Sequence, residues 1–180
     1  MKHILVGATL FGLGLMTSAA NATLAVGAKA PDFTAQASLG GKEFSFSLAD
    51  ALKKGPVVLY FYPAAFTKGC TIEAHDFAEA TDRFKALHAT VIGVSHDDVA
   101  TLDKFSVSEC RSKFAVAADP DQKIIKAYDV VLEKHPEYAN RTSFVIAPNH
   151  KIVSSYTNLD PDNHVALTMQ AVEDWRDTHK

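Results

Sequence analysis

Apolar positions along the 180-residue chain follow two periods, and the switches between them outline the elements. Residues 56–62, PVVLYFY, form a continuous β-branched and aromatic run between Gly55 and Pro63. That pattern predicts a central strand buried on both faces. Residues 89–95, ATVIGVS, predict a second buried strand, and residues 114–119, FAVAAD, a short third one. Between the first two, Phe77, Ala80, Phe84 and Leu87 recur at spacings of three and four. They predict a helix over 70–87 with Glu73, Glu79 and Asp82 on its polar face. A further helix is expected over 97–111, capped by Asp97 or Asp98, and a helical turn or two over 122–130. Residues 27–52 read as an extended lead-in and a hairpin turning at Leu39-Gly40-Gly41. Residues 141–157 form a second hairpin turning at Pro148-Asn149-His150. A closing helix starts at Pro161 and packs Val165, Leu167, Met169, Val172 and Trp175. Strands alternating with helices, then a hairpin and a helix, indicate an α/β layered domain: a central mixed sheet with helices on both faces.

The first residues stand apart from this pattern. A short basic start, MKH, precedes an apolar run over 4–16 that is too short and too rich in glycine to span a bilayer. The run ends in Ala20-Asn21-Ala22, the small-x-small pattern of a signal-peptidase site. Residues 1–22 are therefore read as a cleaved secretory signal, cut after Ala22, and 23–180 as one domain of a periplasmic or secreted protein. Thr23 offers no lipid attachment point. Removal of residues 1–22 takes away Lys2 and leaves 158 residues, with 17 basic and 21 acidic side chains for a balance of −4. Mild acidity argues against nucleic acid or an anionic membrane surface as partner. The two cysteines, Cys70 and Cys110, form no CxxC, and the eight histidines show no metal-ligand spacing, so neither a metal nor a cofactor is expected.

Cys70 carries the chemical interest. It falls where the central strand has ended, a loop has turned and a helix begins, flanked by Thr67, Lys68 and Gly69 on one side and Thr71 on the other. Ligands in open α/β sheets bind beyond the carboxyl ends of strands. A thiol in a first helical turn meets unpaired backbone N–H groups and the positive end of the helix dipole, which both favour thiolate. The competing reading of Cys70 is a small core residue.

The stretch PAAFTKGC, residues 63–70, fits P-x-x-x-T-x-x-C, the active-site signature of peroxiredoxins, and four segments resemble that family in the same order. These are VGAKAPDFTAQ, the strand-loop-helix segment GPVVLYFYPAAFTKGCTIEAHDF that contains the signature, VIGVSHD and RTSFVIAPNHKIV. The resemblance, nearest to the Q type or bacterioferritin comigratory protein branch, implies a thioredoxin-like fold and a cofactor-free thiol peroxidase serving antioxidant defence. It implies that Cys70 attacks a hydroperoxide, hydrogen peroxide or a small organic one, and becomes a sulfenic acid. It further implies that Thr67 hydrogen-bonds thiolate and peroxide, and that Pro63 shields the sulfur. Arg141 supplies the positive charge that favours thiolate and stabilises the stretched O–O bond. The backbone N–H groups of Gly69 and Cys70 complete the cradle. Glu73 either orients Arg141 or is a solvated first-turn acid.

In one common form of that branch a resolving cysteine follows the nucleophile by five residues, and here that position is His75. Other members place it in the following helix, so the resemblance implies an intramolecular Cys70–Cys110 disulfide. The alternative is a buried Cys110 in a one-cysteine enzyme reduced by an outside thiol. The expected reductant is a thioredoxin-like or other thiol donor, and the expected assembly a monomer or weak homodimer. Two other classes stay open. A cysteine hydrolase would need a histidine base, and His75, five residues along the helix, faces elsewhere. A non-enzymatic secreted domain would hold both cysteines in a structural disulfide.

Overall fold

The computed structural model describes residues 23–179, so the expected signal over 1–22 lies outside the described residues. Every residue of β3 (Val57–Phe61) is buried, as its unbroken apolar run requires. Alternation sorts the side chains: Val57, Leu59 and Phe61 enter one apolar cluster, and Val58, Tyr60 and the following Tyr62 enter another. β4 (Thr90–Ser95) lies parallel to β3 with Phe61 opposite Val94, and β5 (Ala115–Ala118) lies parallel to β4. On the other side of β3, β6 (Thr142–Ile146) and β7 (Ile152–Thr157) form the predicted antiparallel hairpin. The first hairpin, β1 (Thr34–Leu39) and β2 (Lys42–Ser47), joins the sheet through β1 and β5. The seven strands run in the order β2-β1-β5-β4-β3-β6-β7, a mixed sheet.

Helices cover both faces. α1 (Leu48–Leu52) and α4 (Lys123–Ala127) bury Leu48, Leu52, Ile124 and Ile125 in the first cluster. α2 (Lys68–Ala86), α3 (Val99–Ser108) and α5 (His164–Thr178) bury Phe77, Phe84, Leu102, Phe105, Met169 and Val172 in the second.

The boundaries differ from the pattern where a local contact decides them. α3 is shorter than 97–111 because Asp98 caps it, its side chain accepting from the Thr101 N–H at 2.8 Å. α5 starts at His164 and not at Pro161, since Asn163 sits in the left-handed region at φ 71°. That start shifts the buried phase: His164 and Thr168 face inward, and Leu167 is 43% exposed, contrary to expectation. α1, five residues long, fell within the expected lead-in and hairpin. α2 begins two residues earlier than expected, at Lys68, which sets Cys70 inside its first turn.

Candidate active site

The site lies where β3 hands over to α2. The connecting loop is pinned from the end of β4. Asp97 accepts from the Ala65 N–H at 2.8 Å and from the Ser95 hydroxyl at 2.7 Å. His96 donates through Nδ1 to the Pro63 carbonyl at 3.0 Å. Phe66 takes φ 63°, a strained value for an aromatic residue, and its ring meets Phe105 edge-on at 5.3 Å. Thr67 is the extended N-cap residue, and its carbonyl accepts from the Thr71 N–H at 2.9 Å. The N–H groups of Lys68, Gly69 and Cys70 therefore precede the first bond of the helix ladder.

Cys70 is only 1% exposed. Its sulfur receives a hydrogen bond from Nη2 of Arg141 at 3.5 Å. Arg141, immediately before β6, is spread over three acceptors: Nη2 on the sulfur, Nη1 on Oε2 of Glu73, and Nε on the Leu159 carbonyl at 2.9 Å. Gly69 permits this approach, because a Cβ there would stand 3.0 Å from Nη2. Glu73 is fully buried and pairs with Arg141, which removes it from the expected polar face of α2. Burial pushes its carboxyl up to about 8, against the opposing pull of Arg141. Its other oxygen, Oε1, has no hydrogen-bond partner and lies 3.6 Å from Nδ1 of His164, itself fully buried.

Thr67 departs from expectation. Its hydroxyl donates to the Ala64 carbonyl at 3.0 Å and not to the sulfur, which leaves the oxygen lone pairs as its free capacity. Pro63, half-buried, stands at the loop entrance. Cys110 is fully buried just beyond the end of α3, and burial and the neighbouring Glu109 hold its thiol well above the ordinary range. Both cysteines are free thiols and contribute to the same apolar cluster. Arg111 and Ser112, the two residues after Cys110, both take left-handed angles, φ 50° and 55°. His75 points to Glu109, 2.9 Å away.

A model of the AhpC/TSA family matches residues 26–155. The chain belongs to that family. It is 33% identical over 157 residues to Peroxiredoxin Bcp of Bacillus subtilis (strain 168), covering 84% of this chain and 97% of that one. It is 32% identical over 148 residues to Peroxiredoxin Q, chloroplastic, of Oryza sativa subsp. japonica, covering 82% and 66%. The crystal structure of peroxidoxin BcpB from Mycobacterium tuberculosis aligns with a TM-score of 0.75 at 28% identity, over 83% of this chain and 96% of that one. This peroxiredoxin is thus a thiol peroxidase of the Q/Bcp branch with an α/β thioredoxin-like fold.

Of the residues expected in the peroxiredoxin's site, the fold brings Cys70, Gly69, Glu73 and Arg141 together and sets Thr67 and Pro63 on the loop beside them. Sequence reasoning missed His164 and Ser143, whose hydroxyl is 2.8 Å from Nδ1 of His164. The available signal was weak: one histidine at the start of a helix whose buried phase the apolar spacing alone does not give.

Proposed function

We propose that Cys70 is the peroxidatic nucleophile toward hydrogen peroxide and small organic hydroperoxides, with Arg141 holding its thiolate. The observation that carries this reading is the buried sulfur in a first helical turn with a guanidinium nitrogen on it at 3.5 Å. The thiolate attacks the terminal oxygen of ROOH, an S–O bond forms as the O–O bond breaks, and RO⁻ leaves with the electron pair. The alkoxide takes a proton to become ROH, and Cys70 is left as a sulfenic acid. Arg141 and the first-turn N–H groups stabilise the charge moving between sulfur and oxygen. The free lone pairs of Thr67 suit it to accept from the peroxide O–H.

Cys110 then attacks the sulfenic sulfur, expelling water and forming a disulfide that a thioredoxin-like dithiol reduces. A thiol as deeply buried as Cys110 attacks only after it reaches water and ionises. Two consecutive left-handed residues beside it, each strained by on the order of 1 kcal/mol, lower the cost of that local opening. The mature peroxiredoxin would act outside the cytoplasm once residues 1–22 are removed.

The test is intact mass of reduced mature protein, acid-quenched seconds after one equivalent of hydrogen peroxide, with Cys70→Ser as control. Loss of two hydrogens in the wild type alone supports both roles. A gain of one oxygen keeps Cys70 and assigns reduction to an outside thiol. An unchanged mass refutes the proposal.

A further inference from the structure

The reading of Cys70 as a reactive thiolate leaves one buried feature unexplained. Glu73 uses Oε2 on Arg141, and its Oε1 faces His164 with no donor. The tautomer of His164 is fixed by its far side. Nε2 lies 2.9 Å from the Asn158 carbonyl, which can only accept, so Nε2 carries a hydrogen. In the neutral ring Nδ1 is then an acceptor, already taken by the Ser143 hydroxyl at 2.8 Å. In this fully buried space Oε1 consequently lies 3.6 Å from a nitrogen that, in the neutral ring, has no hydrogen to offer it. One proton supplies the missing donor: on Nδ1 it makes the ring a donor, with the Ser143 hydroxyl turning to accept, and on Oε1 it makes the acid a donor, with that hydroxyl turning away from Nδ1.

Charge gives the same count. A Cys70 thiolate, Arg141 and an ionised Glu73 sum to one negative charge out of contact with water, which is costly. One added proton brings the sum to zero. We propose that His164 is a positioning residue for the reaction, acting through Glu73: the two side chains hold one proton between them, and that proton leaves the charge of Arg141 to the sulfur. Without the proton, the ionised Glu73 competes with the sulfur for the same guanidinium. Burial raises Glu73 and lowers His164, so both shifts favour the neutral pair. The other charged and titratable groups around the pair are Asp76 on α2, Tyr60 on β3, Tyr156 on β7 with its ring 4.7 Å from the imidazole, and Asp160 ahead of α5.

The test uses full-length mature protein carrying Cys110→Ser, so that Cys70 is the single thiol, and follows iodoacetamide alkylation at pH 7 by intact mass. His164→Gln supplies a donor that holds no proton of its own to share and so favours the ionised form of Glu73; alkylation should slow about tenfold, the smaller end of what a neighbouring charge does. Glu73→Gln mimics the protonated acid, accepting from Arg141 and donating to Nδ1, and in that background His164→Gln should change the rate by less than about twofold. An equal loss in both backgrounds, or none in either, overturns the proposal. Should the variants misfold, the same coupling is read with histidine ring NMR in otherwise unaltered protein. Replacing Cys70 by Ser should weaken the proton held by the pair by the same tenfold, about one pH unit, because coupling is reciprocal. An unmoved His164 titration overturns it as well. Neither measurement uses peroxide, so a Cys70 that alkylates as expected yet ignores peroxide would refute the peroxidase role separately.

Discussion

Arg141→Lys keeps the charge and loses the fork. In the structure one guanidinium reaches the Cys70 sulfur, the Glu73 carboxylate and the Leu159 carbonyl together. An ammonium is a point charge that cannot serve three acceptors at once, so it draws back from the sulfur toward Glu73 and the Leu159 carbonyl. A unit charge 3.5 Å from the sulfur is worth about 5 kcal/mol at an effective dielectric near 20, and about 3 kcal/mol if drawn back to about 6 Å. The difference of about 2 kcal/mol corresponds to roughly 30-fold weaker stabilisation of the charged sulfur. Iodoacetamide alkylation of Cys70 at pH 7 should slow by that factor. Oxidation by hydrogen peroxide should slow further, because the same guanidinium also faces the charge that develops on the peroxide oxygens. Stopped-flow oxidation and quenched alkylation on the same preparation separate the two effects. Rates within about threefold of wild type for both reagents, well inside that 30-fold estimate, would refute the assignment of Arg141 as the group that holds the thiolate.

Three further outcomes are expected. Gly93→Ala would set a methyl 2.7 Å from the ring of Tyr60, which is stacked on Phe77 at 4.4 Å and has no room to retreat. Overpacking of about 1–3 kcal/mol should lower Tm by about 3–10 °C, and an unchanged Tm in a thermal melt would contradict the packing described. Thr67→Val should cost about tenfold in peroxide oxidation, one hydrogen bond's worth, with Thr67→Ser close to wild type. Equal rates for Val and Thr would remove the hydroxyl from the site. Burial holds Cys110, Tyr60, Tyr62 and Tyr128 protonated above their ordinary ranges. The folded state therefore binds these protons more tightly than the unfolded one, and the stability they add is complete below the ordinary thiol and phenol values and falls as pH rises above them. Urea unfolding of reduced protein should show stability declining above about pH 8.5, with Cys110→Ser less steep by about 1.4 kcal/mol per pH unit, and an identical slope would contradict the burial of that thiol.

Much of the fold was legible because its elements obey a single period over enough residues. β3 reads as buried on both faces from five consecutive apolar residues, and both hairpins announce their turns, the first through Gly40 and Gly41 at φ 58° and 74°. What escaped the pattern was either too short or set from far away. α1 is about one and a half turns, below the length at which a helical period can be told from an extended run. Glu73 has the position of a solvated first-turn acid until Arg141, 68 residues later, arrives to pair with it. His164 depends on a left-handed Asn163 that resets the helix phase by less than one turn. Thr67 illustrates the opposite limit: its type and spacing match the signature, yet a carbonyl three residues back takes its proton.

The contact between His75 and Glu109 joins the helix that carries Cys70 to the residue adjoining Cys110. If resolution runs through Cys110, this contact acts as a timer. A sulfenic acid formed at Cys70 must wait until Glu109 lets go before the second thiol can swing toward it. During that interval a second peroxide can carry the sulfur on to sulfinic acid, a state that most thiol enzymes do not recover from. The strength of one part-buried pair would then set the peroxide concentration at which the enzyme stops being a catalyst and becomes a casualty.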